Sequence, residues 1–108
     1  MVAQNSYKLN QKINIVGKTT DGKIVLKNAF VYMSTVGLPM DILLIELDKR
    51  NFIIDWIDFC KCALLDGWKR KTIYNKIKTG SEEAYTKEYS DELLSRINTI
   101  LDLLTKGE

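Results

Sequence analysis

From Tyr7 to Val16 the chain alternates apolar and polar residues, setting Tyr7, Leu9, Ile13 and Ile15 against Lys8, Asn10, Lys12 and Asn14, with Gln11 as the polar exception. A period of two is that of a half-buried strand. Thr19-Thr20-Asp21-Gly22-Lys23 follows, and its Asp-Gly pair suits the positive φ angles of a type I′ turn. Lys23 to Met33 is therefore predicted as the return strand. With Asp21 and Gly22 as the loop, the ladder sets Thr20 opposite Lys23, Thr19 opposite Ile24, Ile13 opposite Phe30 and Gln11 opposite Tyr32. The apolar faces then coincide, and a slip of one residue would turn them to the wrong side.

Past Gly37-Leu38-Pro39 the spacing becomes helical. Pro39 suits a first helical turn and Asp41 the positive end of the helix dipole, so a helix is expected from Pro39 to Arg50, with Met40, Leu43, Leu44 and Leu47 inward, Ile42 and Ile45 widening the stripe, and Asn51 as the stop. Asp55 is placed to cap a second helix running to Asp66, which turns Trp56, Phe59, Cys60, Ala63 and Leu64 inward and ends at Gly67. A third helix is predicted over Lys69 to Thr79, with Ile73 and Ile77 one turn apart and Gly80 closing it. Ser81 then caps a last helix over 81–106, whose stripe is Leu93, Ile97, Ile100, Leu101 and Leu104. The expected fold class is α+β, one domain over 1–108: an N-terminal antiparallel β-hairpin (7–33) followed by a bundle of about four helices, three short ones in 39–79 and the C-terminal one.

Composition narrows the chemistry. At 108 residues, 45% hydrophobic and 28% charged, the chain has ordinary globular usage and length for one core. The N-terminus lacks the basic and apolar regions of a signal peptide, and no apolar run nears the roughly 18 residues of a membrane span. The expectation is a cytoplasmic protein without membrane contact. There is no histidine, and Cys60 and Cys62, one residue apart on a helix, diverge too far to bridge easily. They read as reduced structural thiols. No closed Cys/His zinc site and no imidazole-activated nucleophile is available, so no metal, cofactor or catalytic residue is assigned and an enzyme is not expected. Asp55 and Asp58, three residues apart at a helix start, read as cap and dipole partner rather than a catalytic pair. Trp56 and Trp68 read as core residues rather than base-stacking platforms. Glu82, Glu83, Glu88, Asp91 and Glu92 read as a solvated face.

Net charge is only +2, yet it is unevenly spread, with Lys69, Arg70, Lys71, Lys76 and Lys78 facing no acid between Gly67 and Ser81. Counted from Phe59, the small residue Ala63 stands fifth, Gly67 ninth, and the apolar Trp68, Ile73 and Ile77 tenth, fifteenth and nineteenth. Each has a physical reason: Ala63 lets two helices approach, Gly67 takes a left-handed turn conformation, and the other three fill the wedge between the helices. Over these twenty residues the spacing resembles the helix-turn-helix superfamily, from which Asp66 and Lys76 depart. The resemblance implies DNA or RNA as partner. Lys69, Arg70, Lys71, Thr72 and Asn75 would face the groove, Arg70 reading guanine and Asn75 adenine, while the lysines, with Lys76 and Lys78, would hold phosphates. The helix from Pro39 to Arg50 would complete a three-helix unit.

The same glycine and interlocking apolar residues also build any helical hairpin, and the sequence pI of about 8.5 is below that of most dedicated DNA-binding domains. The alternative is therefore a non-enzymatic protein-binding module, an inhibitor or adaptor of a host factor, using a sheet edge or the last helix's stripe, which also offers a homodimer surface. The runs Gly37-Leu38-Pro39-Met40-Asp41, Ile54-Asp55-Trp56, Phe59 and Gly67-Trp68 resemble short stretches in small accessory proteins of large tailed bacteriophages. That resemblance implies a host-cytoplasm setting and a role in redirecting host machinery.

Overall fold

The computed structural model describes residues 14–106 and is mixed α+β. In chain order its elements are β1 (Asn14–Lys18), β2 (Ile24–Lys27), α1 (Ala29–Val36), α2 (Met40–Lys49), β3 (Phe52–Ile54), α3 (Trp56–Leu65), α4 (Arg70–Ala84) and α5 (Lys87–Thr105). The expected partners Gln11 and Ile13 lie outside the described residues.

The hairpin exists, with a different turn. Only Gly22 among the loop residues has a positive φ, 89°. Gly22 N–H donates to Thr19 O at 3.0 Å and Thr19 N–H to Lys23 O at 2.8 Å, the signature of a three-residue loop whose last residue is left-handed rather than a type I′ turn. Thr19 supports it from the side chain, its Oγ1 accepting Lys23 N–H at 3.0 Å and its hydroxyl donating to Asp21. The longer loop moves the register to Lys18 opposite Ile24 and Gly17 opposite Val25, and a bulge between Ile15 and Gly17 shifts it again to Ile15 opposite Leu26.

The return strand is cut short. Residues 29–33, expected as strand, belong to α1, which buries Ala29, Phe30 and Met33 with helical spacing. Asn28, left-handed at φ 65°, breaks the strand, and its N–H donates to Asp58 Oδ2 at 2.9 Å. Gly37, also left-handed, ends the helix, and both its N–H and that of Leu38 reach Met33 O. Beside β2 runs a third strand that sequence periodicity missed: β3 pairs parallel with it, Ile24 with Phe52, Val25 with Ile53 and Leu26 with Ile54. Leu26 and Ile54 face the core while Val25 and Ile53 take the opposite face.

The helices form the other layer. α2 buries Met40, Leu43, Leu44 and Leu47 as expected and stops at the left-handed Asn51, whereas Ile42 is exposed. α3 begins at Asp55, whose Oδ1 accepts Asp58 N–H at 3.1 Å. Gly80 does not end α4, which continues to Ala84. The glycine lies where α4 crosses the start of α2, and a Cβ there would collide with the Met40 side chain and sit 3.2 Å from Asp41 N. Ser81, expected as a cap, is buried and shares a 2.7 Å hydrogen bond with the buried Ser90 of α5. The cap of the last helix is Thr86, accepting Tyr89 N–H at 3.2 Å. Leu93, Ile97 and Leu101 of its stripe are buried in the chain's own core.

Candidate nucleic-acid interface

Gly67 sets the direction of the basic helix. At φ 94° it closes α3, its N–H donating to Leu64 O at 3.1 Å and that of Trp68 to Ala63 O at 3.0 Å, the paired bonds of a left-handed helix stop. Trp68 lies edge-on against Phe30 of α1, ring centroids 5.0 Å apart at 84°. It therefore packs against α1 rather than serving only as a wedge between α3 and α4. Phe30 and Trp56 meet Phe59 in the same way, each at 5.4 Å, so both tryptophans are committed to packing.

α4 rests on two apolar anchors. Ile73 and Ile77 are 0% exposed, and burial of each contributes roughly 1.5–3 kcal/mol. The helix lies mainly on α2 and α5 and only lightly on α3, so its anchors do not chiefly fill an α3–α4 wedge. The Pro39–Arg50 helix expected to complete the unit is, as α2, its main support.

The N-terminus of α4 differs from the other helix starts in its charge. Lys69 occupies the N-cap in extended conformation, φ −80° and ψ 151°, with no side-chain cap bond and no acid in the first turn. Arg70 and Lys71 follow, so three cations gather at the positive end of the dipole. Each opposes the dipole by roughly 0.3–1 kcal/mol, less than the burial of either isoleucine, and so the helix forms regardless.

All seven expected site residues, Lys69, Arg70, Lys71, Thr72, Asn75, Lys76 and Lys78, are exposed, but they do not share one face. Lys71, Asn75 and Lys78, at intervals of four and three, form one stripe. Thr72 and Lys76 form a second beside it, and Lys76 borders a shallow pocket with Pro39 and Trp68. Arg70 stands about 140° round the helix from Asn75 and pairs with Asp102 of α5. Arg70 and Asn75 are thus not brought together as a base-reading pair. Because α4 runs on through Gly80, Glu82 falls one turn beyond Lys78 on the main stripe, and the basic surface ends there.

The acidic residues have structural partners or open solvent. Asp55 caps α3, and Asp58 holds Asn28 as well as lying in the first turn. This tie to α1 left no sequence signal, since its acceptor and donor are thirty residues apart. Lys87 pairs with Asp91 at 3.0 Å on exposed surface. Cys60 is fully buried, which pushes its thiol up from 9.0 to about 12. Burial, then the nearby Asp58 carboxylate, also raise Cys62. Neither cysteine is held as the reactive thiolate. Among the described residues no helix is long and apolar enough to cross a membrane, and no group of three metal-binding side chains gathers.

Compared with family models, curated proteins and solved structures, the chain has no match.

Proposed function

We propose that the protein is a nucleic-acid-binding or transcription-modulating protein that docks the basic start of α4, residues 69–78, on a duplex. The observation that carries this reading is the uncapped, cationic start of that helix. Free N–H groups, a positive dipole end and three cations are together unfavourable in isolation and complementary to phosphate. Lys71, Asn75 and Lys78 line the stripe that would follow the backbone or enter a groove, with Lys69, Thr72 and Lys76 at its margin. Arg70 joins them on leaving Asp102, an exposed pair whose rupture costs no more than about 1 kcal/mol. A duplex is favoured over a single strand because Trp56 is buried and the half-buried Trp68 is held against Phe30, so neither is an open platform on which bases stack. No step of this role is catalytic.

The test is fluorescence anisotropy with duplex DNA, hairpin RNA and single strands at several salt concentrations, on the wild type and on the Lys69→Ala/Arg70→Ala/Lys71→Ala variant. Affinity for the duplex should fall with salt, and the variant's log–log slope should be shallower by about 0.9 for each phosphate it no longer neutralises. Equal affinity and slope in the two proteins would end the proposal.

A second reading, a module that binds another protein, has its own support. Leu65 is 87% exposed and Val31 45%, both beside an open depression that Phe30 and Cys62 also line. Under this reading Leu65→Asp abolishes partner capture and leaves duplex binding intact.

A further inference from the structure

A groove of about 510 Å³ lies between the outer face of the sheet, the start of α3 and one side of α5, and no α4 residue lines it. Its floor follows from strand pairing. Leu26 and Ile54 are committed to the core, so Val25 and Ile53, paired across β2 and β3, face outward into the groove. Ile57, 55% exposed in the first turn of α3, and Ile100 of α5 extend the apolar surface. Ser95, Arg96 and Thr99 form a polar wall.

The chain has three arginines. Arg50 pairs with Glu46 at 3.0 Å and Arg70 pairs with Asp102, whereas Arg96 has no ion pair among the described residues. The guanidinium without a carboxylate is the one beside the apolar floor. Asp55 also borders the groove, but its Oδ1 is occupied by Asp58 N–H, and its charge directs an anion away from α3 toward the α5 wall.

We infer that this groove binds a small amphipathic carboxylate, its hydrocarbon or aromatic body on Val25, Ile53 and Ile57 and its carboxylate on Arg96. A guanidinium presents two parallel N–H donors that match both oxygens of a carboxylate. Size distinguishes this occupant from a protein. Small-molecule sites run to roughly 300–1,000 Å³, whereas a stable protein interface takes roughly 20–30 residues a side, and eleven line this groove. The site is independent of the nucleic-acid proposal.

The probe is 4-phenylbutanoate, compared with 4-phenylbutan-1-ol and 4-phenylbutylammonium, followed on the full chain by ¹H–¹⁵N shifts including the Trp56 indole, which borders the groove. The acid should bind at least tenfold more tightly than the alcohol, with shifts confined to β2, β3, the start of α3 and α5. Arg96→Gln should reduce the acid to the alcohol's affinity, and Ile57→Ser should weaken both probes severalfold while keeping the preference. Because Arg96 and Ile57 are exposed, both variants should retain the wild-type spectrum elsewhere. Equal binding of the three probes, a preference that survives Arg96→Gln, or shifts at other surfaces would overturn the inference. So would shifts of the groove residues with protein concentration in the absence of any probe, which would mark a second copy as the occupant.

Discussion

α3 and α4 follow one another in the chain and begin in opposite ways. At α3, Asp55 accepts a first-turn N–H, Asp58 sits in the first turn, and the same Asp58 ties down the N–H of Asn28. Both charges at this start agree with the dipole, and the carboxylates are taken up by the fold. At α4 the cap position holds Lys69, Arg70 and Lys71 follow, and no acid enters the first turn. Its stability comes from Ile73 and Ile77 beneath. The lesson is that a helix start satisfied from within serves stability, while one left unsatisfied and cationic is available to an outside anion.

The strongest way to break this contrast is the triple alanine variant at Lys69, Arg70 and Lys71. Duplex affinity at low salt should drop by about a hundredfold, some 2.7 kcal/mol, while urea unfolding shows no loss of stability. A variant that unfolds more easily than the wild type would mean the cations hold the helix rather than a ligand. At α3 the converse holds. Asp58→Ala should cost about 2 kcal/mol of stability, read from urea unfolding, since it strands the Asn28 N–H and removes the dipole partner, with no change in duplex affinity at temperatures where the variant is folded.

A substitution that makes α4 resemble α3 sharpens the comparison further. Lys69 already has the extended backbone of a capping residue, so Lys69→Asp should stabilise the fold by about 1 kcal/mol. The same change should weaken duplex binding, so stability and affinity move in opposite directions from one site. Parallel movement would remove the contrast. The smallest effect is expected at Asp102→Asn, which frees Arg70. Because that pair is exposed, the unfolding free energy should change by less than about 0.5 kcal/mol, with duplex affinity rising a few-fold; a fall in affinity would show that Arg70 acts only while held by Asp102.

Much of the basic site was legible in the sequence because its parts are local. Gly67 as a helix stop, Ile73 and Ile77 as anchors one turn apart, and five cations without an acid are properties of neighbouring residues. The pairing of Arg70 with Asp102 was not, because it spans two helices. Nor was the acidic end of the stripe: Gly80 looks like a stop, and only the closeness of α2, with Met40 over the glycine, explains a glycine inside a continuing helix.

The sequence by itself determined the elements whose signals lie within one turn or one hairpin: the place of the Asp-Gly turn though not its type or register, the helices opened by Pro39 and Asp55, the stop at Asn51 and the left-handed stop at Gly67. Tertiary structure decided the rest. Ala29–Val36 is rich in β-branched and aromatic residues, yet it is helical because Asp58 from a distant helix secures Asn28 at its start and the core accepts Ala29, Phe30 and Met33 on one side. Phe52–Ile54 is too short to declare a period and becomes a strand only because β2 offers a parallel partner. Weak local preferences of a few tenths of a kcal/mol per residue yield wherever burial and hydrogen bonding supplied from elsewhere in the chain are worth more.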